Sequence, residues 1–232
     1  MKRHFKTLAM VMTCMAMTLR VSCKKDNENE PSGGGDFIDG HEYVGLGLPS
    51  GLLWATCNVG ASSPEDYGGY FAWAETQPKS YYDGNTYTYT YHDSQYGGYT
   101  KYNYTDHLTI LQAGDDAATA NWSSGWRTPT REEWKGLLRH CTLVWTTQNG
   151  VNGRRFTGFN GNTLFLPAAG RRRDDYLHGA GFNGDYWSSS LVGPNYSHSA
   201  WDCYFNSGNY GMDGNDRYQG LSVRPVCSAR QK

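Results

Sequence analysis

Two Asn-Gly pairs, Asn149-Gly150 and Asn160-Gly161, follow directly on the best-signalled helix of this chain and constrain its fold more than any other feature. An Asn-Gly pair between apolar runs specifies a tight hairpin, because the first turn residue must tolerate positive φ and the second prefers glycine. Residues 143–147, 154–159 and 163–166 therefore read as a three-stranded meander. Ahead of them, Thr130 followed three residues later by Glu133 is a capping box: the Thr oxygen takes the amide of the third helical residue and the Glu reaches back to the cap. Trp134, Leu137, Leu138 and Cys141 then fall at i, i+3, i+4 and i+7, one apolar stripe over about three turns. Glu132 and Glu133 suit the helix dipole better than an acid/base dyad, since adjacent helical residues diverge by about 100°. Asp116 is positioned to cap a shorter helix over 115–121.

Strands are expected on both sides of a Pro49-Ser50-Gly51 turn within 43–59, and again over 186–190, 200–206 and 222–227. The run Thr86-Tyr87-Thr88-Tyr89-Thr90-Tyr91 alternates with a period of two, which predicts a strand carrying its three rings on one face. An aromatic ladder packed on the body is the first reading of those rings and a sugar-stacking platform the second. A first sheet segment, helices and then a meander give an α+β fold with mixed and antiparallel sheets, one or two helices and long C-terminal loops. The length of 232 residues suits one domain, over 36–232.

Residues 1–22 read as a signal peptide: Lys2, Arg3, His4 and Lys6 precede an apolar stretch over 8–19 that is too short to span a bilayer. Val21-Ser22-Cys23 is similar to the end of a bacterial lipobox, with Arg20 departing from the usual Leu. Cys23 is thus the lipidation candidate and 23–35 a polar, glycine-rich tether. Such an acidic stretch beside a lipid-bearing Cys resembles a surface-export signal, so the expected place is the cell surface, on the outer membrane, with the membrane contacted through the lipid. Cys57, Cys141, Cys203 and Cys227 remain in the domain. In an oxidising compartment they can form up to two disulfides, with three connectivities open.

A net charge of -1 without a basic stripe excludes nucleic acid as a partner. The run Arg171 to Arg173 meets Asp174 and Asp175 at once and reads as a solvated turn. No CxxC pair supports zinc or dithiol chemistry, no Gly-x-Ser-x-Gly elbow supports a hydrolase, and no cofactor is expected. What stands out is 195–219, rich in Asn, Asp, Ser, Tyr and Gly between two strand-like ends. Tyr supplies rigid contact area at low entropy cost while Asn, Ser and Asp adapt their hydrogen bonds. This polar aromatic loop reads as a binding surface and not as a catalytic centre.

Four motifs in order, Leu46-Gly-Leu-Pro-Ser-Gly-Leu-Leu-Trp-Ala-Thr-Cys-Asn-Val-Gly60, Trp126-Arg-Thr-Pro-Thr-Arg-Glu-Glu-Trp134, Tyr186-Trp-Ser-Ser-Ser190 and Ser222-Val-Arg-Pro-Val226, resemble the Fibrobacter succinogenes major paralogous domain family. The resemblance implies a C-type lectin-like fold from about residue 42 and an envelope lipoprotein. Some such domains are variable proteins of diversity-generating retroelements, whose mutable codons fall in the last strand-loop-strand segment. By that resemblance the surface for a protein or glycan ligand is Tyr196, His198, Ser199, Asp202, Tyr204, Tyr210, Met212, Asp213, Asn215, Asp216, Tyr218 and Gln219. Trp187, Trp201, Phe205 and Arg224 are framework. A structural envelope or adhesin-tip subunit is the alternative. Related formylglycine-generating enzymes share a run like Arg127 to Trp134, but their chemistry uses two closely spaced late cysteines and here Cys203 and Cys227 lie far apart. The chain is accordingly read as a non-enzyme. The Glu-Pro-Asn and Trp-Asn-Asp elements of calcium-dependent lectins are missing from the sequence, and no metal is expected.

Overall fold

Trp134 and Leu137, from the predicted helical stripe, are fully buried and set the first core of the molecule. The computed structural model describes residues 36–91 and 98–229; residues 1–22, expected as a signal peptide, the lipidation candidate Cys23 and the expected tether lie outside them. In chain order the elements are β1 (Asp36–Ile38), β2 (His41–Gly45), β3 (Leu52–Ala55), α1 (Ala117–Asn121), α2 (Arg131–His140), β4 (Thr142–Gln148), β5 (Val151–Thr157), β6 (Thr163–Pro167), β7 (Arg171–Arg173), β8 (Tyr176–His178), β9 (Gly184–Leu191), β10 (Ser199–Phe205), β11 (Tyr210–Asp216) and β12 (Val226–Ser228). Two helices and mostly antiparallel sheets make the fold α+β, and the described residues belong to one compact unit, Gly35–Lys232.

The capping box of α2 is complete, with the Thr130 hydroxyl accepting from the Glu133 amide and the Glu133 carboxylate accepting from the Thr130 amide. Asp116 caps α1 and also receives the Thr128 amide and hydroxyl, which ties the two helices together. β4, β5 and β6 form the predicted meander, but the second Asn-Gly pair lies in a five-residue connection, 158–162, in which Gly161 and not Asn160 takes positive φ. Asn149 at φ 47° and Gly150 at φ 83° make the type I′ turn that closes β4 on β5. The first sheet runs β1-β2-β3-β12, so the C-terminal strand returns to pair with β3. Of the expected 222–227 strand only Val226 and Cys227 join it, with Ser228 beyond them, because Pro225 has no amide to donate and Arg224 turns inward to Asn58.

The sheet β11-β10-β9 stands in the middle with both faces covered. One face, carrying Tyr186, Cys203 and Phe205, packs with Trp54, Trp134, Phe156 and Leu166. Trp187, Leu191 and Ala200 pack with Phe71, Trp73, Ala118 and Val223 in a second core. Fully burying an aromatic or aliphatic side chain contributes about 1.5–3 kcal/mol, and every residue of β9 is buried.

Three expectations are corrected. The Thr86 to Tyr91 run is a series of turns and not a strand: Asp83 accepts the Thr86 amide, and Tyr87 goes fully inside while Tyr91 stays exposed. Arg171 to Arg173 form a strand of the β7–β8 hairpin, and Arg171 pairs with Asp185 rather than with its sequence neighbours. Cys57, Cys141 and Cys203 carry free thiols, so none of the up to two disulfides open to the four domain cysteines is formed.

Candidate functional site

The polar segment 195–219, read from sequence as a strand over 200–206 within a loop, is a hairpin: β10 matches the expected strand and β11 is the strand the reading lacked. β10 and β11 pair in register from Ser199↔Asp216 to Phe205↔Tyr210, around a turn in which the Asn206 side-chain oxygen accepts the Gly208 and Asn209 amides. Strand alternation divides the predicted ligand residues between two faces. Tyr204 and Asp213 lie on the face of Asp202, whereas Met212 packs into the first core and Tyr210 lies under the Arg154 guanidinium at 4.7 Å. Tyr196, His198, Tyr210 and Asp213 are exposed; Ser199, Tyr204, Met212, Asn215, Asp216 and Tyr218 are half-buried; Asp202 and Gln219 are buried. Tyr196 and His198 present their rings together, 6.4 Å apart, just before β10. Asp216 accepts from the Tyr218 hydroxyl and the Gln219 amide, so these three residues hold one another. Burial and that carboxylate push the Tyr218 phenol up to about 12.

Asp202 is the unusual member. Its residue is 0% exposed, neither carboxylate oxygen makes a hydrogen bond of ordinary geometry, and the Asn215 side chain is the one donor that favours its charged form. Cross-strand pairing sets it opposite Trp187 on β9 and Asp213 on β11, and Asp185 lies diagonally beside it. Asp185 is also buried, with one oxygen 3.2 Å from Arg171 and the other unpartnered. Burial first, then the Asp185 and Asp213 charges, push the Asp202 carboxyl well above its ordinary range, and burial pushes Asp185 up against the pull of Arg171. Burial and the two neighbouring carboxylates outweigh the Asn215 donor and the more distant Arg171 charge, so the neutral acid is the form this site favours. Among the described residues no three His, Cys, Asp or Glu side chains converge where they could hold a metal ion.

One framework residue and one ion pair escaped the sequence reading. Arg217 is fully buried, with its guanidinium 4.5–5.8 Å from the ring centres of Trp73, Tyr87, Tyr99 and Tyr102. It donates to the Tyr87 hydroxyl and to the Lys101, Tyr102 and Ser197 carbonyls, clamping the tyrosine-rich segment and the Tyr196 turn against the end of β11. The Asp185–Arg171 pair was missed as well, because its partners are separated by the β7–β8 hairpin. The only sequence signal for Arg217 was an isolated cation among many tyrosines, a pattern equally suited to a solvated loop. Trp187, Phe205 and Arg224 are buried, and the half-buried Trp201 lies 3.9 Å beneath the Arg131 guanidinium. No family profile, curated protein or solved structure matches the chain.

Proposed function

We propose that this chain is a lipoprotein, anchored at the outer membrane through Cys23, whose C-type lectin-like domain binds a protein or glycan ligand through the β10–β11 hairpin and the turn before it. The resemblance of the four sequence motifs to the Fibrobacter succinogenes major paralogous domain family supports the fold and the anchor. The observation that carries the binding reading is a contrast of rigidity and exposure: Tyr196 and His198 face solvent from the turn before β10, Asp213 from the hairpin face opposite to Cys203 and Phe205, which are locked in the core, and Tyr210 is exposed at the far end beside Phe205. Exposed aromatics on a fixed scaffold give contact area without a large ordering cost. No catalytic step is assigned, and retroelement-driven variation of the exposed positions belongs to the same reading.

The test is a panel of immobilised glycans and surface proteins probed with the wild type and with Tyr196→Ala, His198→Ala and Asp213→Ala. Hot-spot rings at the centre of an interface cost about 2 kcal/mol or more when truncated, roughly a thirtyfold loss. Binding that weakens in these variants while their melting temperatures hold supports the reading. Equal binding by all four proteins, or no binding to any probe, refutes it.

A further inference from the structure

Among the described residues every sheet edge but one is defended. β1, β7, β8 and β12 are three residues long, β6 is buried from Leu164 onward and ends on Pro167, β9 is flanked by the segments 108–111 and 220–223, and β11 carries two glycines and two aspartates. β4 has none of these devices. It is seven residues of Thr-Leu-Val-Trp-Thr-Thr-Gln, regular in register against β5, without a charge, a proline, a glycine or a bulge. Natural sheets blunt their edges with charge, proline, bulges or shortness, because an open edge is a template for another strand.

The hairpin geometry says which groups are open. Gln148↔Val151 closes a two-residue turn and so exchanges its hydrogen bonds across the ladder, as do Thr146, Val144 and Thr142 in alternation. Leu143, Trp145 and Thr147 therefore direct their N–H and C=O groups away from β5, and no described residue bonds to these backbone groups. Their side chains do not block the edge: Leu143 and Trp145 pack back onto the first core, and Val144 is 45% exposed on the opposite face.

We infer that β4 pairs with β4 of a second copy of this chain, antiparallel about a two-fold axis at Trp145, joining two three-stranded sheets into one of six strands. This inference is independent of the ligand reading. A second copy is the occupant the strand suits, because the edge is self-complementary about Trp145: its three outward residues lie symmetrically around that position, and the pairs a two-fold axis brings together join apolar to hydroxyl side chains with no charge to oppose another. Centred on Trp145, the pairing sets Leu143 against Thr147 of the second copy in hydrogen-bonded pairs. Val144 then lies opposite Thr146 of the second copy in the closer, non-bonded pairs. All outward N–H and C=O groups of the three residues are satisfied at once.

The test is analytical ultracentrifugation of the full chain, kept soluble in a mild detergent, as a dilution series. It is combined with hydrogen exchange and two charge variants, Val144→Lys/Thr146→Lys and Val144→Glu/Thr146→Glu. The wild type is expected to double in mass with concentration, each variant to stay monomeric by like-charge opposition, and an equimolar mixture of the two variants to recover the dimer. Exchange at the Leu143, Trp145 and Thr147 amides slows about tenfold when nine-tenths of the chain is paired, while the Val144 and Thr146 amides, bonded to β5, do not change. The exchange measurement needs no variant, so it holds whether or not the substituted chains fold. A wild type that stays monomeric across the series overturns the inference. So does a dimer that both charge variants preserve, or an edge protected only by a different protein.

Discussion

Replacing Asp202 by Asn tests whether the carboxyl inside the central sheet is neutral in the folded protein. The folded state holds a proton that the unfolded chain releases near pH 4, so the stability contributed by this group is fully present below that pH. It is lost as pH rises toward the elevated folded value. Across that window the wild type loses about 1.4 kcal/mol per pH unit relative to a side chain that cannot ionise. Asn keeps the shape, carries no charge, and offers two donors between the Asp185 and Asp213 carboxylates. Leaving a buried polar group unsatisfied costs about 1–3 kcal/mol, so Asp202→Asn is expected to melt above the wild type at pH 8 by about 2–12 °C. The advantage shrinks on going down to pH 4. Asp185 titrates in the same direction, so part of the slope persists in the variant, and the quantity to read is the difference between the two melting curves from pH 4 to 8. A variant less stable than the wild type at pH 8, with a difference that does not vary with pH, would show an ionised, partnered Asp202 and refute the reasoning.

Arg217→Lys keeps the charge but not the fork that reaches three carbonyls and a phenol. It is expected to cost about 2–5 kcal/mol, a range typical of breaking a buried, hydrogen-bonded charge network, and urea unfolding together with faster exchange at Tyr99 and Tyr102 checks this. The thiols are expected to alkylate in order of exposure and acidity. Cys57 and Cys141 are half-buried and react slowly at pH 8, since burial pushes Cys141 up to about 11 and raises Cys57, whereas Cys203 reacts only on unfolding. Mass spectrometry after iodoacetamide treatment reads the order, and early labelling of Cys203 counts against the closed first core.

What the sequence exposed was whatever its neighbours within a few residues decide. Thr130 with Glu133, Asp116 with the amides that follow it, and Asn149 with Gly150 each carry their partner in the adjacent turn, so their geometry was readable. β11 was not, because Gly211, Gly214, Asp213 and Asn215 are poor strand formers by themselves and are held extended only by the ladder to β10. The Tyr87 alternation failed for a related reason: Arg217, distant in sequence, draws one ring inside, and pattern alone does not register a long-range cation. The same limit hid Asp202 among the ligand residues, since a hydrophilic run gives no sign that one of its members faces Trp187.

The hairpin separates what must be kept from what is free to drift. Cys203 and Phe205 hold its register from beneath, and Gly184 admits the Phe205 ring so closely that even a methyl group there would lie 2.1 Å from it. Substitutions confined to Tyr196, His198 and Asp213 leave that grip untouched, whereas Tyr210, paired with Phe205 and stacked on Arg154, belongs to it. A lineage can therefore rewrite its outer vocabulary over many generations while the grammar underneath stays the same.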